Sequence, residues 1–349
     1  MSLHPREFAG LLIAVLLLPT AMVPPARAQT PAGRPAAEGL TPEQMVKSAI
    51  EKIEMGDLAA AAPLLQQAAV LKPTLNILKL GQGLFYVASK RGPEAINALG
   101  TYNQTDEGKR DYRGFAAVGK VYLQASMFRQ AMFPLEQAMK MAPNEKDGKP
   151  LRADITLDLA RAYVTLNDGK KAIELVKKAQ SSTPNDGEIQ LRISEIAGAV
   201  NEWQMAGDSA KRAVELLKRK IRDDPFNQDA YAKLKRSYQL LGNLHIQNVN
   251  KDPDNGEHFH QYALVLEAIA QINRKIGLLK ARDMALKAIE KDPKNSKWQL
   301  LAVRLEMELG GRTQAKARLD TILQAEPKNA EALRLKQRLA ATPQRTASS

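Results

Sequence analysis

Ala116-Ala117-Val118-Gly119-Lys120-Val121-Tyr122, followed by Ala131, Leu135, Ala138 and Pro143, is the stretch on which the fold turns. Small residues at Gly119, Ala131 and Ala138 let two helices approach closely, while Phe115, Val118, Tyr122 and Leu135 sit at helical spacing to fill the space between them. Pro143 lacks a backbone N–H and stops a further turn in register, so the chain must reverse there. The stretch predicts a helical hairpin, and its recurrence decides the architecture.

Outward in both directions the same alternation returns. A first unit carries Met45, Ala49, Gly56, Ala61, Leu65, Ala68 and Pro73, with Gly56-Asp57 as its inner turn. A weaker second unit has Gly83, Tyr86, Ala95, Leu99 and Tyr102, its second helix starting at Pro93, before a polar loop over 101–111. Beyond an insertion at 144–150, a fourth unit shows Leu159, Ala160, Tyr163, Ala172, Val176, Ala179 and Pro184, turning at Asn167-Asp168-Gly169. In the fifth (186–225) the first helix is expected to be elongated and to end at Gly207-Asp208, ahead of Ala213 and Leu217. The sixth begins with Tyr231, Leu234, Tyr238 and Gly242, and Pro253 is expected to cut its second helix short. A seventh has a long first helix from about 257 to 274, then Ala281, Ala285, Ala288 and Pro293; an eighth has Trp298, Leu301, Ala302, Ala315, Leu319 and Pro327.

The prolines test this alignment independently of the residues between them. Pro73 to Pro143 is 70 residues, Pro225 to Pro293 is 68 and Pro293 to Pro327 is 34, while Pro143 to Pro184 and Pro184 to Pro225 are 41 each. A period near 34 of this composition resembles the tetratricopeptide repeat family, whose Leu-Gly, Tyr, Ala, Ala and Pro positions fall on the residues quoted above. The resemblance implies an all-α solenoid, a right-handed superhelix of antiparallel helix pairs, with about seven to eight repeats over 42–341. The insertion at 144–150 and the shortened helix near Pro253, over 250–256, read as candidate hinges. The alternative is a non-repeating bundle of amphipathic helices. Leu333, Leu335 and Leu339 interleave with Arg334, Lys336 and Arg338, as a terminal capping helix with a charged outer face requires, and 342–349 read as a disordered tail.

At the N-terminus, Arg6 precedes an apolar run from Phe8 to Val23, and Ala26-Arg27-Ala28 offers small residues for cleavage. Residues 1–28 are therefore expected to be a secretory signal peptide, with an uncleaved anchor as the alternative. Either one exports the body of the protein across the inner membrane, into the periplasm if the host is Gram-negative, so the resemblance is to an exported bacterial member of the family. Residues 29–41, rich in Pro, Ala and Gly, read as a disordered linker.

The sequence has 349 residues, 5% aromatics and a net charge of +13, of which +12 remains without the first 28 residues. Such an excess draws anions in general, be they nucleic acid, lipid headgroups, polysaccharide or acidic peptide. The absence of cysteine excludes disulfides, thiol catalysis and thiolate metal sites. Gly81-Gln82-Gly83 lacks the Lys-Ser/Thr ending of a phosphate loop and any preceding strand, and reads as helix packing. His258 and His260 are two apart and diverge on a helix, although Asp252, Asp254 and Glu257 lie near enough in sequence to complete a metal site in a loop. His245 reads as a structural histidine on a short helix, and Asp223-Asp224 as solvated turn residues. No Gly-x-Ser-x-Gly is present, and the expectation is a non-enzymatic protein with no catalytic residue, resident metal or cofactor.

In the family the first helix of each pair lines a concave groove that takes extended peptides or partner helices. Counting five residues past each unit's first large position places Lys120, Arg161 and Arg236 in that groove, with Arg113, Gln124 and Lys233 beside them. Cations repeated at this interval suit carboxylates of an acidic peptide or a free C-terminus. The opposing reading is ordinary solvated charge on a basic protein. No asparagine accompanies Lys120 or Arg161, a departure from the carboxylate-clamp members of the family. The function implied is an exported scaffold binding a protein or acidic peptide in its groove in the cell envelope. The alternative is a basic binder of anionic polymer or membrane surface. Nucleic acid is not an expected partner, since stacking aromatics are few and export removes the protein from it. Membrane contact is expected only if the leader stays as an anchor.

Overall fold

The computed structural model describes residues 39–143, 151–272 and 277–341. The expected leader (1–28), most of the linker, the insertion at 144–150 and the C-terminal tail lie outside the described residues. Those described form sixteen α-helices and no strand. Among them no helix is long and apolar enough to cross a membrane.

Ten helices make five successive pairs: α1 (Pro42–Glu54) with α2 (Leu58–Leu71), α3 (Asn76–Ala88) with α4 (Gly92–Gln104), and α5 (Tyr112–Gln124) with α6 (Phe128–Met141). Then come α7 (Leu151–Thr165) with α8 (Gly169–Ser182) and α9 (Gly187–Ala199) with α10 (Trp203–Asp223). A single helix, α11 (Gln228–Lys251), is followed by α12 (Gly256–Ile272) with α13 (Leu278–Lys291) and α14 (Ser296–Glu308) with α15 (Arg312–Ala325). The last described helix is α16 (Ala330–Ala341), which packs on α15 and α14. Each element packs chiefly on its neighbours in sequence and on the next first helix, the arrangement of a tetratricopeptide-like α-solenoid.

Two kinds of connection alternate. Within a pair, the chain reverses through one left-handed residue: Gly56, Lys90, Ser126, Asn167, Asn201 or Gly310, with φ between 59° and 81°. Between units it passes through an X-Pro-x segment, as at Pro73, Pro184, Pro225, Pro253, Pro293 and Pro327. Proline ends one helix and the polar residue two positions on caps the next, with Asp186, Asn227 and Asn295 accepting backbone N–H bonds. The core between partners is built of Ala, Leu and other small-large combinations, with Ala131, Leu135 and Ala138 fully buried between α5, α6 and α7.

Three element-level expectations need correction. The fifth unit's first helix ends at Ala199, not at Gly207-Asp208, and its second helix α10 is the long one. Asn201 takes the left-handed turn, whereas Gly207 lies inside α10 because Leu244 packs where its side chain would be, 2.5 Å from an ideal Cβ. The sixth unit has no second helix, since α11 runs unbroken for 24 residues through Gly242. Pro253 is itself a between-unit connector, so the 68-residue span from Pro225 to Pro293 divides into 28 and 40. Finally, the polar loop begins only after Gln104 and contains a single 3-10 turn at Gly108–Arg110.

The unpaired helix changes the geometry of the row. Arg192 of α9 bonds Asp154 and Asp158 of α7, and α9 joins α11 through Glu188–Lys233 and Glu195–Arg236, so α7, α9 and α11 run parallel. Glu257–Trp298 and Glu267–Arg304 make α12 and α14 parallel in the same way. Yet α11 and α12 are joined by only four residues and lie side by side antiparallel. First helices therefore point one way up to α11 and the opposite way from α12 onward.

Candidate functional site

A cleft of about 630 Å³ crosses four successive first helices. Lys120 of α5, Asp158 and Arg161 of α7, Arg192 and Glu195 of α9, and Arg236 of α11 line it. Each unit contributes from the same face because parallel first helices packed side by side bring equivalent turns into line. Three of the six residues expected in the groove, Lys120, Arg161 and Arg236, thus meet in one cleft.

The charges there are unequally satisfied. Arg192 donates to Asp154 at 2.7 Å and to Asp158 at 2.5 Å, joining α9 to α7. Arg236 Nε donates to Glu195 at 2.8 Å, joining α11 to α9. Lys120 and Arg161 are exposed and form no ion pair among the described residues. The field of Lys120 reaches Asp154, whose carboxyl burial pushes up and Arg192 and Lys120 draw down, with burial prevailing.

Arg113, Gln124 and Lys233 lie elsewhere. Arg113 grips Asp111, the N-cap of α5, through Nε and Nη2 at 2.7–3.1 Å, and the Tyr102 hydroxyl donates to the same carboxylate at 2.8 Å. Burial works against the Asp111 charge, but the bonds from Arg113 and Tyr102 keep its carboxyl below the ordinary range. This network ties α4 to α5 and leaves Arg113 no charge to offer. Lys233 is held by Glu188 and by Asp229, the latter at 2.7 Å. Burial opposes its charge, yet these two carboxylates keep the ammonium above its usual pKa. Gln124 is exposed at the last residue of α5, outside the cleft.

Arg192 and Glu195 were not among the expected groove residues. Taking Gly207 as the turn puts the fifth first helix out of register; Asn201, matching Asn167 one unit earlier, is the signal that restores it.

The three histidines among the described residues lie on α11 and α12. His245 lies on the 24-residue α11, not on a short helix, and is 8% exposed, with Nδ1 unbonded. His260 is 1% exposed and stacks on Trp298, ring centres 6.0 Å apart. His258 stands 3.9 Å from Asp252, while Asp254 pairs with Lys291 and Glu257 accepts from Gln261 and Trp298. Among the described residues no three His, Asp or Glu side chains are grouped to hold a metal.

The fold and cleft define a helical-repeat protein of the solenoid class. Residues 122–192 and 278–339 match the tetratricopeptide repeat family. No curated protein matches the sequence. Among solved structures, the APC/C hetero-tetramer Cut9-Hcn1 is similar over 85% of this chain, at 13% identity and a TM-score of 0.46. This chain spans 49% of the length of that one. TTC0263, a thermophilic TPR protein of Thermus thermophilus, is 14% identical over 56% of this chain and 98% of its own, with a TM-score of 0.43. YrrB, a TPR protein with an unusual peptide-binding site, is 15% identical over 70% of this chain and 97% of its own, with a TM-score of 0.37.

Proposed function

We propose that this protein is an exported, non-enzymatic scaffold that binds an acidic segment of another protein in the cleft over α5, α7, α9 and α11. One observation carries it: among the described residues Lys120 and Arg161 are exposed and form no ion pair, in a cleft whose other cations, Arg192 and Arg236, are paired to neighbouring acids. A carboxylate entering there meets two exposed donors and displaces no internal ion pair. The basic residue, apolar run and Ala26-Arg27-Ala28 of the first 28 residues support export and, with it, work in the cell envelope.

Crosslinking in intact host cells tests both parts. Envelope proteins are expected as the captured neighbours, on a mature chain starting at Gln29. The double variant K120E/R161E is expected to lose the partner, and K177E/K178E, on the exposed surface of the second helix α8, to keep it. A cytoplasmic partner on an uncleaved chain would refute export, and equal loss in both variants would refute the cleft. Steep salt dependence with equal tolerance of every single reversal would favour the second reading, in which the net charge of +13 binds an anionic polymer or membrane surface.

A further inference from the structure

Beside the charged cleft lies a recess of about 400 Å³ that exists because α11 does not turn. A first helix of thirteen residues, the length of α1, α3, α5 and α9, would reverse after residue 240. Instead α11 continues to Lys251. With Glu195 bonded to Arg236, residues 240–247 run past the end of α9 and over the start of α10, where Leu244 seats on Gly207. Leu240, Leu244, Ile246, Trp203 and Ala199 give the recess apolar walls. Trp203 is 41% exposed there. Asn243 and Gln247, four residues apart on α11, stand at its rim with side chains unbonded among the described residues. Glu195 and Ala199 line both the recess and the charged cleft, so the two are continuous.

We propose that cleft and recess form one two-part site for an extended segment of another polypeptide. Its acidic group lies at Lys120 and Arg161, and a large apolar side chain enters the recess between Trp203 and Leu244. The inference rests on the cleft reading above and adds the apolar half. Charge complementarity selects the occupant. One half offers two unpaired cations, while the other holds no unpaired charge, because Glu195 is neutralised by Arg236. The amides of Asn243 and Gln247 each present a donor and an acceptor, which matches a peptide unit. A polyanion would use the cations and leave the apolar walls in water. Two steps between adjacent first helices, about 8–10 Å each, separate Arg161 from α11. About five or six residues of extended chain cover that distance.

Random dodecapeptides displayed on phage and selected on the full chain provide the test, with individual peptides then measured by fluorescence anisotropy. Selected sequences are expected to carry an acidic residue, or a C-terminal carboxylate, about five or six positions from a Trp, Phe, Leu or Met. Replacing that apolar residue with Ser, or filling the recess from the exposed rim with Asn243→Trp, is expected to weaken binding at least about tenfold. K120E/R161E is expected to do the same. Trp203→Ser, at a partly exposed wall position, gives a second variant, and circular-dichroism melting reports whether either one unfolds the stack. Peptides that need Lys120 and Arg161 but ignore Asn243→Trp and Trp203→Ser would overturn the two-part site and leave the cleft reading standing. Failure to select any peptide would overturn both. So would displacement of acidic peptides by heparin with no apolar preference. A chain that dimerises in solution and becomes monomeric on Asn243→Trp would assign the recess to a second copy and overturn the inference.

Discussion

At Gly119 a missing side chain sets the distance between α5 and α6. A Cβ there would lie 2.5 Å from Leu135 Cγ, and Gly83 in the second unit meets Leu99 at 2.4 Å in the same way. Gly119→Ala is expected to cost about 1–2 kcal/mol net, the overpacking penalty outweighing the gain in helix propensity. In a Leu135→Ala background the same change is expected to be neutral or stabilising, because the atoms it strikes are gone. A double-mutant cycle by denaturant unfolding measures the difference; additivity would show that the contact does not set the spacing. His245 is the other residue with a measurable consequence. Burial, reinforced by Lys211 of α10 and His258 of α12 and opposed by Glu257, brings its pKa down to about 4 from 6.5. The unfolded chain binds this proton more tightly than the folded one. Stability is therefore complete above about pH 6.5 and declines as pH falls toward 4. Between pH 7 and pH 5 the wild type is expected to lose about 1–2 kcal/mol more than His245→Met, which cannot titrate. Equal losses in the two proteins would mean that the imidazole is not desolvated.

Two connection types organise the elements, and each has a backbone cause. A left-handed residue reverses the chain within a pair, and proline followed by a capping Asn or Asp separates units. Helix α11 has the second type at both ends and the first type nowhere. It is a whole unit reduced to one helix. Gly242, near its middle, has an ordinary helical backbone and room for a methyl group, the nearest atoms to an ideal Cβ being Tyr262 Cε2 at 3.6 Å and Val265 Cγ1 at 3.7 Å. Gly242→Ala is expected to stabilise by up to about 1 kcal/mol. Thermal melting checks this, and a marked loss would mean that the helix breaks there after all. The same residue shows what sequence reading could and could not see. Glycine near the end of a periodic segment signals a turn, and Gly56 and Gly310 are turns with positive φ. Gly207 and Gly242 look alike in sequence but serve helix packing. Leu244 of another element presses on Gly207, and Gly242 packs at ordinary contact distance against Tyr262 and Val265 of α12; neither neighbour is visible in the local sequence.

Over the whole molecule, each unit's stability depends on its neighbours, so removing one helix exposes the apolar face of the next. Among the described residues, α16 covers Leu319 and Ile322 of α15 and Val303 of α14, burying Ala332, Leu335 and Leu339 in return. Deleting residues 330–349 removes about 3–5 kcal/mol of apolar burial. The truncated chain is expected to melt earlier and to bind a hydrophobic dye; an unchanged melting curve would show that α16 is not a cap. The solenoid, its helix pairs and most of its core were legible because periodic Ala, Leu and Gly positions and recurrent prolines are local signals. So was the presence of Lys120, Arg161 and Arg236 on one face, since equal counting in equivalent helices lands on equivalent turns.

The sequence by itself determined that this chain folds as stacked helical hairpins, because packing period and proline punctuation are written within each unit. Only the tertiary structure decided which cations remain unpaired, that first helices reverse direction at α11, and that an apolar recess opens beside the cleft. Those features depend on contacts between residues about 30 to 45 apart, such as Arg192–Asp158, Arg236–Glu195 and Lys233–Glu188, whose partners no local pattern specifies.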